Sequence, residues 1–258
     1  MGKAVLLLRL EGVWQSWGER SRWDVRDTAT EPTKSGVVGL LGCALGYGMR
    51  DSRLETELDA GLIFGVRVES CGRVVRDYQT ISGFLQSADG NYKSKIGITS
   101  IGNLRKRGCD PISDGYTIVS PRYYLEDASF LVALEERDGN NGLLTRCEAA
   151  LKRPKWPVFL GRKACVPTRP VFEILTEEYD GIEEALRKYP WSRSGLGYGL
   201  KVLEEPNSLM VLMESEDGDY IRQDAVRSNQ SRIYGIRRVK KFMVDFPGGG
   251  EDNVSIQT

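Results

Sequence analysis

Apolar residues along this chain come in short runs rather than long stripes. Lys3–Leu10 carries a run of Leu and Val bounded by Glu11-Gly12, and its length predicts a buried strand. Leu62–Val68, between Gly61 and Cys71-Gly72, predicts a second strand, and Ala128–Leu134 a third. Pro32-Thr33-Lys34-Ser35-Gly36 opens an apolar segment, Val37–Leu45, which reads as a helix capped by Thr33 or Ser35 and ended by Gly46 and Gly48. A second helix is expected over Gly142–Lys152, with Leu143, Cys147, Ala150 and Leu151 on one face and Pro154 as its stop.

Taking Val158–Leu160 as the last strand, this order is the β-α-β-β-α-β pattern of a ferredoxin-like or RRM-like sheet. The expected class is therefore α+β. Residues 1–170 would form an RRM-like domain, and residues 171–246 a small C-terminal β-rich lobe. That lobe would hold a helix at Ile182–Lys188, a strand at Leu209–Met213 and a further pair of elements around Ile233–Phe246. Residues 247–258 read as a flexible tail. Between the second and third strands, roughly residues 77–123, glycines recur and bases prevail, eight against four acids over 73–122, which suggests an exposed basic insertion of β-hairpin or thumb type.

At 258 residues the chain can bury a sizeable core, and 36 bases against 36 acids exclude a uniformly basic coat. The charges are nevertheless segregated. Residues 146–169 hold seven bases and one acid, and 227–241 hold six bases and no acid, while 173–184 and 204–219 each carry six acids and no base. Such a layout permits a basic groove beside acidic faces, or charge runs that pair with one another across the surface.

Histidine is absent, which removes Ser-His-Asp, Cys-His and two-histidine zinc chemistry from the chain's own repertoire. Five cysteines without a C-x-x-C suggest neither a zinc ribbon nor a disulfide framework, so a reduced, cytoplasmic protein is expected. The apolar runs are too short for a signal peptide or a membrane span. The acids Asp24, Asp27 and Glu31 read as solvated loop residues, and neither metal nor cofactor is expected.

The polar stretch Glu11–Pro32 interleaves Trp14, Trp17 and Trp23 with Arg20, Arg22 and Arg26. Indoles stack on unpaired bases and guanidinium groups meet phosphates, so this mixture suits single-stranded nucleic acid. The alternative is that Trp14 and Trp17 pack back onto the sheet. Pro32-Thr33-Lys34-Ser35-Gly36 is shaped like an anion cradle, with free N–H groups, a hydroxyl and a lysine, although it lacks the glycines of a Walker A loop. Ordinary helix capping explains the same residues.

Several segments, in order, resemble the CasD family of type I-E CRISPR Cascade subunits. They are Leu10-Glu11-Gly12 with Gln15-Ser16-Trp17-Gly18, then Pro32 to Leu41, Phe64-Gly65-Val66-Arg67, Asp77-Tyr78-Gln79-Thr80, Tyr124 to Phe130, Pro157 to Cys165, and Ser231 to Val239. The resemblance implies an RNA-binding scaffold, without a catalytic residue, that holds the 5′ handle of a CRISPR guide RNA. It also implies contacts with the CasC backbone subunit and the large CasA subunit, with target DNA reached only through the complex. Gln79 stands where the family commonly shows histidine.

On this reading Gln15, Trp17, Arg22, Arg26, Lys34, Ser35 and Gly36 form one wall of an RNA groove and Gly161, Arg162 and Lys163 the other, with Arg105, Lys106 and Arg107 clamping from the insertion. Two rivals stand beside it. One is an endoribonuclease that processes repeat RNA, as the related type I-C subunit does with a histidine-containing site, here with a Tyr or Lys near the phosphate as acid or base, for instance Lys34 or Tyr78. The other is a protein adaptor working through its acidic faces.

Overall fold

The computed structural model describes residues 2–18, 25–86, 90–95, 97–111, 113–139, 141–192, 206–228 and 233–245. In chain order the first half holds β1 (Lys3–Glu11), β2 (Trp14–Gln15), α1 (Lys34–Leu45), a π-helical turn over Leu54–Asp59, β3 (Leu62–Ser70) and β4 (Arg73–Gly83). Next come β5 (Leu85–Gln86), β6 (Tyr92–Ser94), β7 (Gly97–Thr99), α2 (Ile101–Lys106), β8 (Tyr116–Glu126) and β9 (Ser129–Glu136). The rest holds α3 (Leu143–Lys152), β10 (Phe172–Tyr179), α4 (Ile182–Lys188), β11 (Ser208–Glu214), β12 (Tyr220–Ser228) and β13 (Ile233–Asp245). The architecture is mixed α/β and mostly strand.

Seven strands form one antiparallel sheet in the order β10-β1-β9-β3-β11-β13-β12. Val5–Leu8 and Leu10 are fully buried because the sheet is covered on both sides, which is why β1 reads as a continuous apolar run rather than an alternation. Leu6, Leu8 and Leu10 join the larger core under α1 and α3, while Val5 and Leu7 join a smaller one under α4. The α4 side also buries Arg9, Arg67 and Glu69. Glu69 pairs with Arg9 at 3.0 Å and Arg67 at 2.8 Å, and Arg67 donates to the carbonyls of Leu186 and Tyr189 at 2.8 and 2.7 Å. A cation thus caps the end of α4, where the helix dipole favours it.

Helix α1 follows its sequence signals. The Thr33 hydroxyl accepts from the Gly36 amide at 3.3 Å, and Gly46 forms the C-cap. Helix α3 falls where the periodicity places it, and α4 on the helix candidate Ile182–Lys188. The final strand does not. Val158–Leu160 is irregular, and its place beside β1 is taken by Phe172–Tyr179, so the sheet runs straight across residue 170. β11 then pairs with β3 in that same sheet, and the pair of elements expected around Ile233–Phe246 is the single strand β13, hydrogen-bonded to β12.

The insertion is a long antiparallel ribbon of β4 and β8, paired from Arg73 opposite Glu126 to Gly83 opposite Tyr116. Its tip carries the small β5-β6-β7 sheet and α2. At its base, Trp14 and Gln15 add to β8 opposite Glu126 and Leu125. This pairing draws the loop after β1 against the ribbon and defines the wall of a cavity.

Candidate nucleic-acid interface

Ribbon, first loop and helix α1 converge where three chain segments exchange backbone bonds. The Ser16 amide donates to Leu160 O at 3.0 Å, the Arg26 amide to Pro121 O at 3.0 Å, and the Tyr123 amide to Arg26 O at 2.8 Å. Gly161 makes the closest approach. Its φ is +91°, and a Cβ there would collide with the Ser16 carbonyl, so only glycine lets the 160–162 turn meet the loop.

Around this junction lies a cavity of about 430 Å³, lined by Ser16, Trp17, Gly18, Arg26, Thr33, Ser35, Gly36, Arg122, Gly161, Arg162 and Tyr234. Its lining holds three arginines and no acid. Arg162 braces the wall: its guanidinium donates to the carbonyls of Tyr123 (3.2 Å), Arg26 (2.9 Å) and Asp27 (3.3 Å) and sits 4.8 Å from the centre of the Tyr124 ring. Tyr124 in turn stacks on Trp14 at 4.8 Å. Arg122 Nε is enclosed and has no acceptor among the described residues. A buried donor without an acceptor is costly, and this one stands as an unmet polar atom within the wall.

Of the residues expected in the groove, Trp17, Arg26, Ser35, Gly36, Gly161 and Arg162 line this one cavity. Trp17 does so as a core residue. It is 1% exposed, its indole N–H donates to Gln15 Oε1 at 3.1 Å, and its ring lies 2.8 Å from where a Cβ on Gly36 would be, leaving no face for a base to cover. Gln15 is fully buried, its amide nitrogen given to the carbonyls of Leu10 and Ala128 at 3.2 and 2.7 Å. It supports the wall from behind.

Lys34 points elsewhere. Its ammonium is buried against Glu214 at 2.9 Å and lines a separate cavity with Asp59, Arg137 and Arg237. Lys163 is exposed beside Arg162. Arg105, Lys106 and Arg107 are exposed on the ribbon's tip. Arg122 and Tyr116 are six steps apart along β8, roughly 20 Å of strand, so the tip bases stand well above the cavity. Arg22 and the 247–258 tail lie outside the described residues.

A family profile described as "CRISPR-associated protein (Cas_Cas5)" matches residues 5–240. The chain belongs to this CRISPR-associated Cas5 family. Its relatives include the CRISPR system Cascade subunit CasD of Escherichia coli (strain K12), 31% identical over 178 residues that cover 66% of this chain and 70% of that one. Two solved structures superimpose over almost the full length. One, titled "Crystal structure of Cas protein", is 33% identical with a TM-score of 0.64, covering 95% of this chain and 98% of that one. The other belongs to a "CRISPR RNA-guided surveillance complex", 27% identical with a TM-score of 0.66, covering 96% and 95%. The family resemblance read from short segments therefore extends through the fold.

Arg122 and Tyr234 also line the cavity. Arg122 counts among the insertion's bases, but it is the β2–β8 pairing and the bridge between Arg26 and Arg122 that bring it to the loop. Tyr234 lies in the C-terminal segment that resembles the family, with nothing local to mark it as a lining residue. No helix among the described residues is long and apolar enough to cross a membrane.

Proposed function

We propose that this chain is a non-catalytic RNA-binding subunit of a CRISPR Cascade surveillance complex. In this reading it grips the repeat-derived 5′ handle of the guide RNA in the cavity and caps the CasC backbone beside the large CasA subunit. The observation that carries the proposal is Arg26, Arg122 and Arg162 gathered around the first turn of α1 in a lining without acids, with Arg122 Nε lacking an acceptor. Guanidinium groups and a helix start are suited to phosphate. The order β10-β1-β9-β3, with α1 and α3 as the crossovers, supports an RRM-like half, and the ribbon supports a thumb. With Trp17 buried, the cavity's selectivity rests on backbone shape and guanidinium contacts more than on indole stacking. Base pairing by the guide would read sequence.

The placement of its two candidates supports the non-catalytic reading over the nuclease one. Lys34 is held by Glu214, and Tyr78 lies exposed on the ribbon with Arg76 over its ring at 4.5 Å. Tyr234 is the phenol that lines the cavity.

Fluorescence anisotropy with repeat-derived RNA tests the proposal. Arg122→Ala and Arg162→Ala are expected to weaken binding and to lower the salt slope by about one per lost phosphate contact, Lys163→Ala less so. Wild-type affinity and slope in both arginine variants would remove the cavity from the interface. RNA incubated with the protein in EDTA should stay intact. Cutting abolished by Tyr234→Phe or Lys34→Ala would overturn the non-catalytic assignment.

A further inference from the structure

The basic run at 146–169 is only partly used by the cavity. Arg146 pairs with Glu57, Lys152 with Glu148 at 2.7 Å, and Arg169 with Glu173 at 3.1 Å, while Arg162 braces the cavity wall. Three cations remain: Arg153, Lys155 and Lys163 are exposed and have no ion-pair partner among the described residues. No acid occurs between Glu148 and Glu173 to neutralise them locally. Among them stands Trp156, 43% exposed between Lys155 and Pro157. An exposed indole on its own is ordinary surface, but set among unpaired cations it offers the stacking face and positive charge that single-stranded RNA takes.

The path of this segment joins it to the cavity. The Lys155 amide donates to Ala44 O at 2.8 Å, near the end of α1, and Cys43 Sγ donates to Pro157 O at 3.1 Å. Five residues on from Lys155, Leu160 O accepts from Ser16 at the cavity rim. Residues 155–161 therefore run antiparallel to α1 from its last turn to its first. Twelve helical residues span about 18 Å, the length of roughly five stacked nucleotides. Over this span Gly39 is exposed, with no atom within 4 Å of where its Cβ would be, so the middle of this face of α1 is open.

We propose that Arg153, Lys155, Trp156 and Lys163 form a second RNA contact, which takes the guide strand where it leaves the cavity and runs it along α1. The indole stacks on a base, Lys163 meets a phosphate near the cavity, and Arg153 and Lys155 meet phosphates at the far end of α1. The proposal rests on the cavity being an RNA site. An acidic protein segment is the competing occupant, disfavoured because the surface continues the cavity's own wall.

The test uses the full chain and two RNAs, a short repeat-derived oligonucleotide that fills the cavity and versions lengthened by about five nucleotides at either end. Wild-type protein should bind one lengthened RNA about tenfold tighter than the short one. The triple variant Arg153→Ala, Lys155→Ala, Trp156→Ala should lose that gain and about two units of salt slope while keeping its affinity for the short RNA. Trp156→Phe should retain most of the gain because it keeps an aromatic face. Arg162→Ala should weaken both RNAs. Should the triple variant fail to fold, Lys155→Glu alone reports on the same loss.

A triple variant that keeps the gain overturns the second contact. So does a wild type that binds the short RNA and gains nothing from length, in which case the cavity reading survives. Failure of the wild type to bind either RNA overturns both. A variant with unchanged RNA binding that no longer joins the other subunits assigns the surface to protein instead and overturns the proposal.

Discussion

Asp224 Oδ2 lies 2.8 Å from the Lys34 amide, so a carboxylate on β12 receives the first N–H of α1. The same carboxylate takes Arg237 through both oxygens, at 2.6 and 2.9 Å, and both side chains are almost fully buried. Thr33 caps the helix from within its own segment, while Asp224 fastens it to the hairpin that also carries Tyr234. The start of α1 and one wall of the cavity are therefore held by one buried pair.

Asp224→Ala should destabilise the protein severely. It leaves Arg237 without its partner in a buried setting, and breaking such a pair costs about 3 to 5 kcal/mol. Urea denaturation measures the loss, and a change below about 1 kcal/mol, the range of exposed pairs, would contradict the account. RNA affinity should fall with it, because the helix start and Tyr234 would no longer be in register.

A pH effect is expected at Asp59. This carboxylate is buried and accepts from the Val226 amide at 3.0 Å. Burial pushes its carboxyl above the ordinary aspartate value, and the charge of Lys34 works against that rise. The folded state thus holds this proton more tightly than the unfolded chain. Its favourable contribution is complete below about pH 4, the unfolded value, and is lost as pH rises through the higher folded pKa. Asp59→Asn keeps an acceptor for Val226 without the charge. The variant should be more stable than wild type at about pH 7, with the gain vanishing near pH 3.5. Urea midpoints at the two pH values decide it, and a gain equal at both would show that charge burial is not the cause.

What the sequence exposes and what it hides follow from the range of the interactions. Helix α1 is legible because its signals are local: Thr33 three residues before Gly36, and Gly46 just past the last apolar turn. Val158–Leu160 misleads because an apolar triplet fits a strand equally well. Its backbone is instead held by Ser16, and the prolines Pro154 and Pro157 just before it suit an irregular path. Phe172–Tyr179 is hard to see as a strand because an edge position tolerates Glu173, Glu177 and Glu178.

The interior fate of polar loop residues is still less legible. Gln15 is buried because Ala128 O waits for it 113 residues away, and Lys34 because Glu214 does so at a separation of 180. The residue types of the cavity were readable, and the segments that supply them were nearly all in view. Which of them face the cavity depends on strand pairings that no local pattern encodes.

Gly161 offers the sharpest test of the cavity wall. Its left-handed φ of +91° strains any other residue by about 1 to 2 kcal/mol, and a methyl group would meet the Ser16 carbonyl as well. Gly161→Ala should therefore force the turn off the loop, break the 3.0 Å bond from Ser16 to Leu160 and shift Arg162 away from the Arg26 carbonyl. Two readouts should move together. Stability should drop by about 2 kcal/mol or more, and RNA affinity should fall further than with Lys163→Ala, since Arg26 and Arg162 lose their common brace. Gly39→Ala is the internal control. It sits in helix α1 with open space around it and should gain about 0.5 to 1 kcal/mol from reduced backbone freedom. If Gly161→Ala instead melts with the wild type and binds RNA equally well, the wall is not built on this contact.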